Sequence, residues 1–245
     1  MHKETKAGYV ARVSQRVAVV TGVGPGTGAA LVRRFAADGY RVAMLARDRA
    51  RLEKLAGEIP GTSPFPVDVA DLDALRTTLA RVRSELGTPT VLLHNAVAGG
   101  FGAFDTVKPE DLEQRFRVNV TSLLVLAQEL APGMVAAGGG AIVATGNTSA
   151  WRGKAAFAGF APTKAAQRVL CESLARALGP QGVHVAYVVI DAVIDVPWTR
   201  QAFRDRPDEF FIRPAGIADA VHHVVHQERS AWTFELDLRP FGENW

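Results

Sequence analysis

The chain has 245 residues, 48% of them hydrophobic and 22% charged, the balance of a globular protein with enough apolar material for one large core or two small ones. Formal net charge is only +3 and the basic residues are scattered rather than gathered into a stripe, so no nucleic-acid partner is expected. The one cysteine, Cys171, excludes an intrachain disulfide or a cysteine metal site and reads as a small core residue.

Residues 1–15 are polar and mixed in charge, with no apolar stretch of signal-peptide length, and are expected to form a flexible tail. No later run reads as long enough to span a bilayer, so no membrane partner is expected and the location is expected to be cytoplasmic. From Arg16 onwards, short β-branched runs alternate with segments of helical period, and no linker interrupts them, so residues 16–245 read as one domain. Strands are expected over Arg16–Thr21, Arg41–Ala46, Ser63–Val67, Thr90–His94, Ala141–Thr145, His184–Ile190 and Thr233–Leu238. Helices are expected over Gly28–Asp38, Arg49–Gly57, Leu72–Leu86, Pro109–Met134, Phe157–Leu178 and Ile217–His226. This is the α/β pattern of βαβ units wound into a parallel seven-stranded sheet. The fourth and fifth helices carry more apolar surface than one sheet face requires, as helices that also pack against another subunit do.

Between the first strand and first helix lies Thr21-Gly22-Val23-Gly24-Pro25-Gly26-Thr27-Gly28. Glycines there permit a tight turn and close backbone approach to a pyrophosphate, whose charge is stabilised by the free N–H groups and positive end of the following helix. The alternative is an ordinary glycine-rich turn. The spacing resembles the Thr-Gly-x-x-x-Gly-x-Gly turn of the short-chain dehydrogenase/reductase family, and further matches follow along the chain. Asp68-Val69 stands where that family holds the adenine. His94-Asn95-Ala96-Val97 is similar to its Asn-Asn-Ala-Gly, with Asn95 and Ala96 beside the adenosine ribose. Asn119 matches the asparagine that kinks the fourth helix and anchors a water, and Lys164 the lysine that grips the nicotinamide ribose. The resemblance implies a Rossmann-type, doubly wound fold with helices on both faces.

An NAD site usually ends its second strand in a carboxylate that binds the ribose 2′-OH. Here the strand ends Leu45-Ala46-Arg47-Asp48. The resemblance places Ala46 at the carboxylate position and Arg47 after it, an arrangement similar to NADP-preferring members, and a guanidinium suits a 2′-phosphate. Asp48 reads as the cap of the next helix. Pro25 stands where some NADP-preferring relatives carry a second basic residue. NADP(H) is therefore favoured over NAD(H).

The family's Tyr-x-x-x-Lys becomes Phe160-Ala161-Pro162-Thr163-Lys164, without the phenol that gives or takes a proton during hydride transfer. Its serine position falls on Asn147, an amide that still donates a hydrogen bond but exchanges no proton usefully at neutral pH. Thr148 and Ser149 fill that role only if the loop is shifted, and otherwise face solvent. Asp191, at the end of the sixth strand, is either a replacement acid with a pKa raised by burial or a residue that fixes a loop. Ile194 is placed by the resemblance to meet the carboxamide through its backbone. His94 reads as a core group. His222 and His226 have the i, i+4 spacing of a metal pair, but without a carboxylate motif they read as surface histidines, and no metal is expected.

Two functions fit this pattern. One is an NADP(H)-dependent oxidoreductase acting on a small molecule that needs no tyrosine acid, such as an iminium ion, activated enone or quinone. There Asn119, Asn147, Lys164 and the apolar wall of Phe160 suffice. The other is a non-redox protein that uses the same pocket as a cofactor sensor, cyclase, dehydratase or isomerase. A substrate lid is expected over residues 197–214, with Trp198, Phe203, Phe210 and Phe211 either lining a pocket or packing the lid down. The last strand resembles one that joins subunits, so a homodimer or homotetramer is expected.

Overall fold

A computed structural model describes residues 16–242; the expected tail, residues 1–15, lies outside the described residues. The strands are β1 (Val17–Thr21), β2 (Arg41–Ala46), β3 (Thr62–Pro66), β4 (Pro89–His94), β5 (Gly140–Gly146), β6 (Val183–Ile190), β7 (Val193–Ile194), β8 (Phe211–Ile212) and β9 (Glu235–Leu238). The α-helices are α1 (Thr27–Ala37), α2 (Arg49–Glu58), α3 (Leu72–Leu86), α4 (Pro109–Phe116), α5 (Ser122–Ala136), α6 (Ala161–Leu178), α7 (Pro197–Ala202) and α8 (Pro214–Val225). Seven strands pair in parallel in the order β3-β2-β1-β4-β5-β6-β9, and β7 and β8 form a separate two-stranded ribbon.

The central strands β1, β2, β4, β5 and β6 are mostly apolar and buried because helices cover both sheet faces, and the side-chain alternation assigns each residue to a face. On β1, Val17 and Val19 join the core shared with α3, α5 and α6, whereas Ala18 and Val20 join the core shared with α1, α2 and α8. On β6 the same alternation separates Val183, Val185, Tyr187 and Val189 from Ala186, Val188 and Ile190. The order reverses between β1 and β4, and such a reversal opens a crevice at the carboxyl ends of the strands.

Several boundaries differ from expectation. The helix expected over Pro109–Met134 is three pieces, because Arg117–Thr121 is a π turn between α4 and α5. The composite Pro109–Ala136 also corrects the expectation that no run reaches membrane-spanning length. By length and composition it does, yet half of its most apolar window is buried within the domain, as in a core helix. The helix expected from Phe157 begins at Ala161, since Pro162 suits only the first turn of a helix. The lid segment, to which the sequence assigns no element, consists of α7, a short 3-10 turn over Asp208–Phe210, and β8.

Candidate active site

The crevice is a cavity of about 800 Å³ lined by the glycine turn, the ends of β2 and β3, the segment after β4, and Ile194, Val196 and Trp198. Twelve expected cofactor residues share it: Gly22, Gly24, Pro25, Gly26, Thr27, Gly28, Arg47, Asp68, Val69, Asn95, Ala96 and Ile194. Two of the glycines are required by geometry. Gly22 has φ +69° and lies so close to Ala96 that a Cβ would meet its Cα at 2.5 Å. At Gly28 a Cβ would stand 2.4 Å from the carbonyl oxygen of Gly22, so the helix starts in close contact with the turn.

The turn fits a pyrophosphate on observations of its own. No side chain caps α1, and the hydroxyl of Thr27 is buried without a hydrogen-bond partner among the described residues. A bound phosphate oxygen supplies the acceptor that both lack. Asn95 holds the turn in place, donating from Nδ2 to the carbonyl of Gly22 at 2.8 Å and accepting from the Thr145 hydroxyl at 3.2 Å.

At the adenosine end, Asp48 caps α2 by accepting from the Arg51 amide and ion-pairs with the Arg51 guanidinium at 3.0 Å. Arg47 is exposed and has no ion-pair partner among the described residues. Arg51 lines the same cavity and was missed from the sequence, although it stands one helical turn beyond Arg47. Asp68 accepts from the amide of Ala70 at 3.0 Å, which shapes the loop after β3. The carbonyl of Ile194 already accepts from the Thr199 hydroxyl.

None of the five residues expected to do chemistry, Asn119, Asn147, Phe160, Lys164 and Asp191, lines this cavity. Asn119 sits in the π turn, fully buried. Its Oδ1 accepts from the amide of Ala98, and its Nδ2 donates to the Ala98 carbonyl and to the Thr163 hydroxyl. Its own carbonyl accepts from Nε2 of Gln167 at 2.8 Å. Lys164 is 2% exposed rather than open to a ribose. Its Nζ donates to Oε1 of Gln167 at 2.8 Å and to the Thr145 carbonyl at 3.1 Å, and burial lowers its pKa to about 8. Gln167 therefore bridges the two positions and was not anticipated; its signal is a fully buried amide three residues beyond Lys164.

Phe160 caps α6 with its ring centroid 5.9 Å from Lys164 Nζ, and its ring is followed outward by Phe157 at 6.3 Å and Phe101 at 5.2 Å from Phe157. Phe101 is 81% exposed, so the series runs from the buried lysine to solvent. Asn147 uses Oδ1 to accept from the amide of Ser149, and its Nδ2 has no partner among the described residues. Asp191 accepts from the Thr148 hydroxyl at 3.2 Å and lies 3.9 Å from the Arg239 guanidinium. Its carboxylate ties the loop after β6 to that after β5, the contact expected of a loop-fixing residue. Of the lid aromatics, only Trp198 lines the cavity; Phe210 packs against Phe203 at a tilt and against Phe211 edge-to-face, with Arg206 over Phe210 and Arg200 over Phe211. His94 is a buried, uncharged core group: its Nδ1 lies 3.1 Å from the Thr21 hydroxyl, and burial lowers its pKa to about 3. Its Nε2 has no partner among the described residues, so it is only half satisfied. Burial pushes the Cys171 thiol up to about 12, as suits a core residue.

Comparison with known proteins agrees with this geometry. Residues 16–206 match the family model described as short chain dehydrogenase. The chain is 32% identical to L-xylulose reductase of Homo sapiens over 94% of its length and 96% of that protein's. It is 32% identical to the Bos taurus L-xylulose reductase over 79% of this chain and 78% of that one. A metagenomic short-chain oxidoreductase solved in complex with NADP has a TM-score of 0.80 at 29% identity, covering 92% of this chain and 97% of its own. A 3-ketoacyl-(acyl-carrier-protein) reductase from Brucella melitensis complexed with NADH has a TM-score of 0.82 at 26% identity, covering 91% and 96%. With the glycine turn, the parallel sheet and the crevice between β1 and β4, these matches identify the chain as a member of the short-chain dehydrogenase/reductase family of oxidoreductases.

Proposed function

We propose that this oxidoreductase is an NADP(H)-dependent reductase of small molecules that accept hydride without a protein acid: iminium ions, activated enones or quinones. The observation that carries the reading is Phe160. By the sequence resemblance it takes the place of the family's phenol and has no proton to give, while Lys164, 5.9 Å from its ring, donates to Gln167 and Thr145.

The cofactor supplies the hydride when bound. The glycine turn and Thr27 would hold its pyrophosphate, and Arg47 and Arg51 would face the 2′-phosphate. Asn147 offers Nδ2 as a hydrogen-bond donor to a substrate oxygen or to the water that protonates an enolate. Phe160, Phe157 and Phe101 form an aromatic wall whose ring faces favour a cationic iminium and exclude water. Reduction of an iminium carbon gives a neutral amine with no proton required. Reduction of an enone gives an enolate that takes its proton from water.

Incubation with NADPH and a panel of cyclic imines, enones, quinones and simple ketones, followed by the absorbance of the reduced nicotinamide, tests this reading. Oxidation with the first three classes and little with ketones is expected. Tight NADPH binding without turnover of any acid-independent substrate would overturn it. We also infer a homodimer or homotetramer, since Leu124 on α5 and Val169 on α6 remain exposed apolar positions; a monomer by light scattering would refute it.

A further inference from the structure

We propose that Asp38, His222 and His226 form a site for a borderline divalent cation of the Zn²⁺ or Co²⁺ type, at the end of α1 remote from the glycine turn. Eleven helical residues separate that end from the turn, about 16 Å along the axis, so the site is distinct from the cofactor crevice. One donor atom from each residue lies within 4.8 Å of the others. His222 Nε2 is 3.1 Å and His226 Nε2 is 3.6 Å from the same oxygen of Asp38. Those separations bracket the edge of about 3.4 Å that metal–ligand bonds of 2.0–2.1 Å give around a tetrahedral centre.

The histidines lie four residues apart, their imidazole centroids 4.1 Å from one another. The carboxylate missing from that part of the sequence arrives from the end of α1, which packs against α8. His226 is oriented for ligation. Its Nδ1 lies 2.7 Å from the carbonyl of His222, which only accepts, so the proton is on Nδ1 and the lone pair is on Nε2. A backbone acceptor on the far nitrogen is the usual support of a metal-bound imidazole. Asp38 is placed against the helix dipole, directly after the last residue of α1, where a carboxylate is disfavoured unless a cation compensates it.

Two arginines now supply part of that compensation. Arg16 Nη2 is 3.2 Å from the Asp38 carboxylate, and Arg34 Nη2 donates to His222 Nδ1 at 2.9 Å, which puts the His222 proton on Nε2 as donor to Asp38; a metal at Nε2 would move that proton to Nδ1 and turn Arg34 away from the ring. Both have other partners to keep when a metal enters: Arg34 ion-pairs with Asp219 at 2.9 Å, and Arg16 bonds the Asp38 carbonyl and lies over the Tyr40 ring. Tyr40 Oη, 3.0 Å from His226 Nε2, is placed to turn towards a metal-bound water. The donor set of two imidazoles and one carboxylate selects a borderline metal over Mg²⁺ or Ca²⁺, and the adjacent arginines make the site weaker than a closed structural zinc site.

Titration of the full chain with Co²⁺, read by its visible d–d absorption and by displacement with Zn²⁺, tests the proposal. Expected are saturation at one ion per chain, a rise in Tm of at least about 3 °C at saturation, and loss of both effects in His226→Asn and Asp38→Asn. NADPH affinity is expected to stay within twofold in those variants. Absence of saturable binding, or binding of equal affinity in both variants, would overturn the site. If a variant does not fold, the wild-type imidazole NMR signals decide: Co²⁺ must shift those of His222 and His226 first, and a first shift elsewhere rejects the assignment.

Discussion

The ammonium of Lys164 rests 2.8 Å from Oε1 of Gln167, and the other end of that same amide donates to the carbonyl of Asn119. A side chain thus spans the gap between the lysine of α6 and the π turn, with every polar atom of the amide engaged on at least one side. Gln167→Leu leaves a buried carbonyl and a buried ammonium short of a partner. Urea denaturation should show a loss of about 1–3 kcal/mol; an unchanged midpoint would mean that water replaces the amide without penalty.

Burial of Lys164 sets a pH dependence. Its pKa is lowered from 10.5 to about 8, so between these values the unfolded chain binds a proton that the folded chain does not. The penalty for the buried ammonium is fully present below about pH 8 and is relieved as pH rises towards 10.5. Relative to Lys164→Met, wild-type stability should increase by about 1 kcal/mol between about pH 8 and pH 9. A difference that is flat or falls over that interval would contradict the depressed value.

Arg47 is the group to remove for cofactor choice. Arg47→Ala should weaken NADPH binding about tenfold, the loss of one charge-assisted contact worth about 1.5 kcal/mol, while NADH binding changes less than twofold. Calorimetry with both cofactors separates the two results, and equal losses would remove the 2′-phosphate from the argument.

Placing the family's tyrosine and serine at the positions that the resemblance assigns to them tests the proposal that ketones are poor substrates. Phe160→Tyr combined with Asn147→Ser should raise kcat for a simple ketone by about 100-fold or more, the usual contribution of a positioned acid. Phe160→Tyr alone should give less, because Asn147, whose Oδ1 is held by the Ser149 amide, brings no hydroxyl to the ketone oxygen. A double variant with wild-type ketone activity would place the obstacle elsewhere in the pocket.

The main sheet was legible because short strand-like runs, most of them β-branched, alternate with helix-period segments, and the cradle was legible because glycine spacing and helix onset coincide. Arg117–Thr121 was not, since a single inserted residue leaves the apolar pattern of a helix almost intact. β7 and β8, two residues each, are too short to carry a period. The partners of the site residues were equally hidden. Gln167 looks like any polar helix residue until the sheet buries it, Phe101 and Phe157 join Phe160 only through the bridge between Gly102 and Phe157, and Asp38 reaches His222 across 184 positions of chain.

The π turn has a consequence for how this region tolerates change. One residue more than an α-helix needs is accommodated there, so α4 and α5 are not in phase as a single cylinder. Deleting one residue between Arg117 and Thr121 would let the whole span close into regular α-helix, rotating the outer face of α4 by about 100° relative to α5. The asparagine that clasps the Ala98 backbone would swing away with it, and the wall beside the crevice would lose its clamp without any loss of helix content.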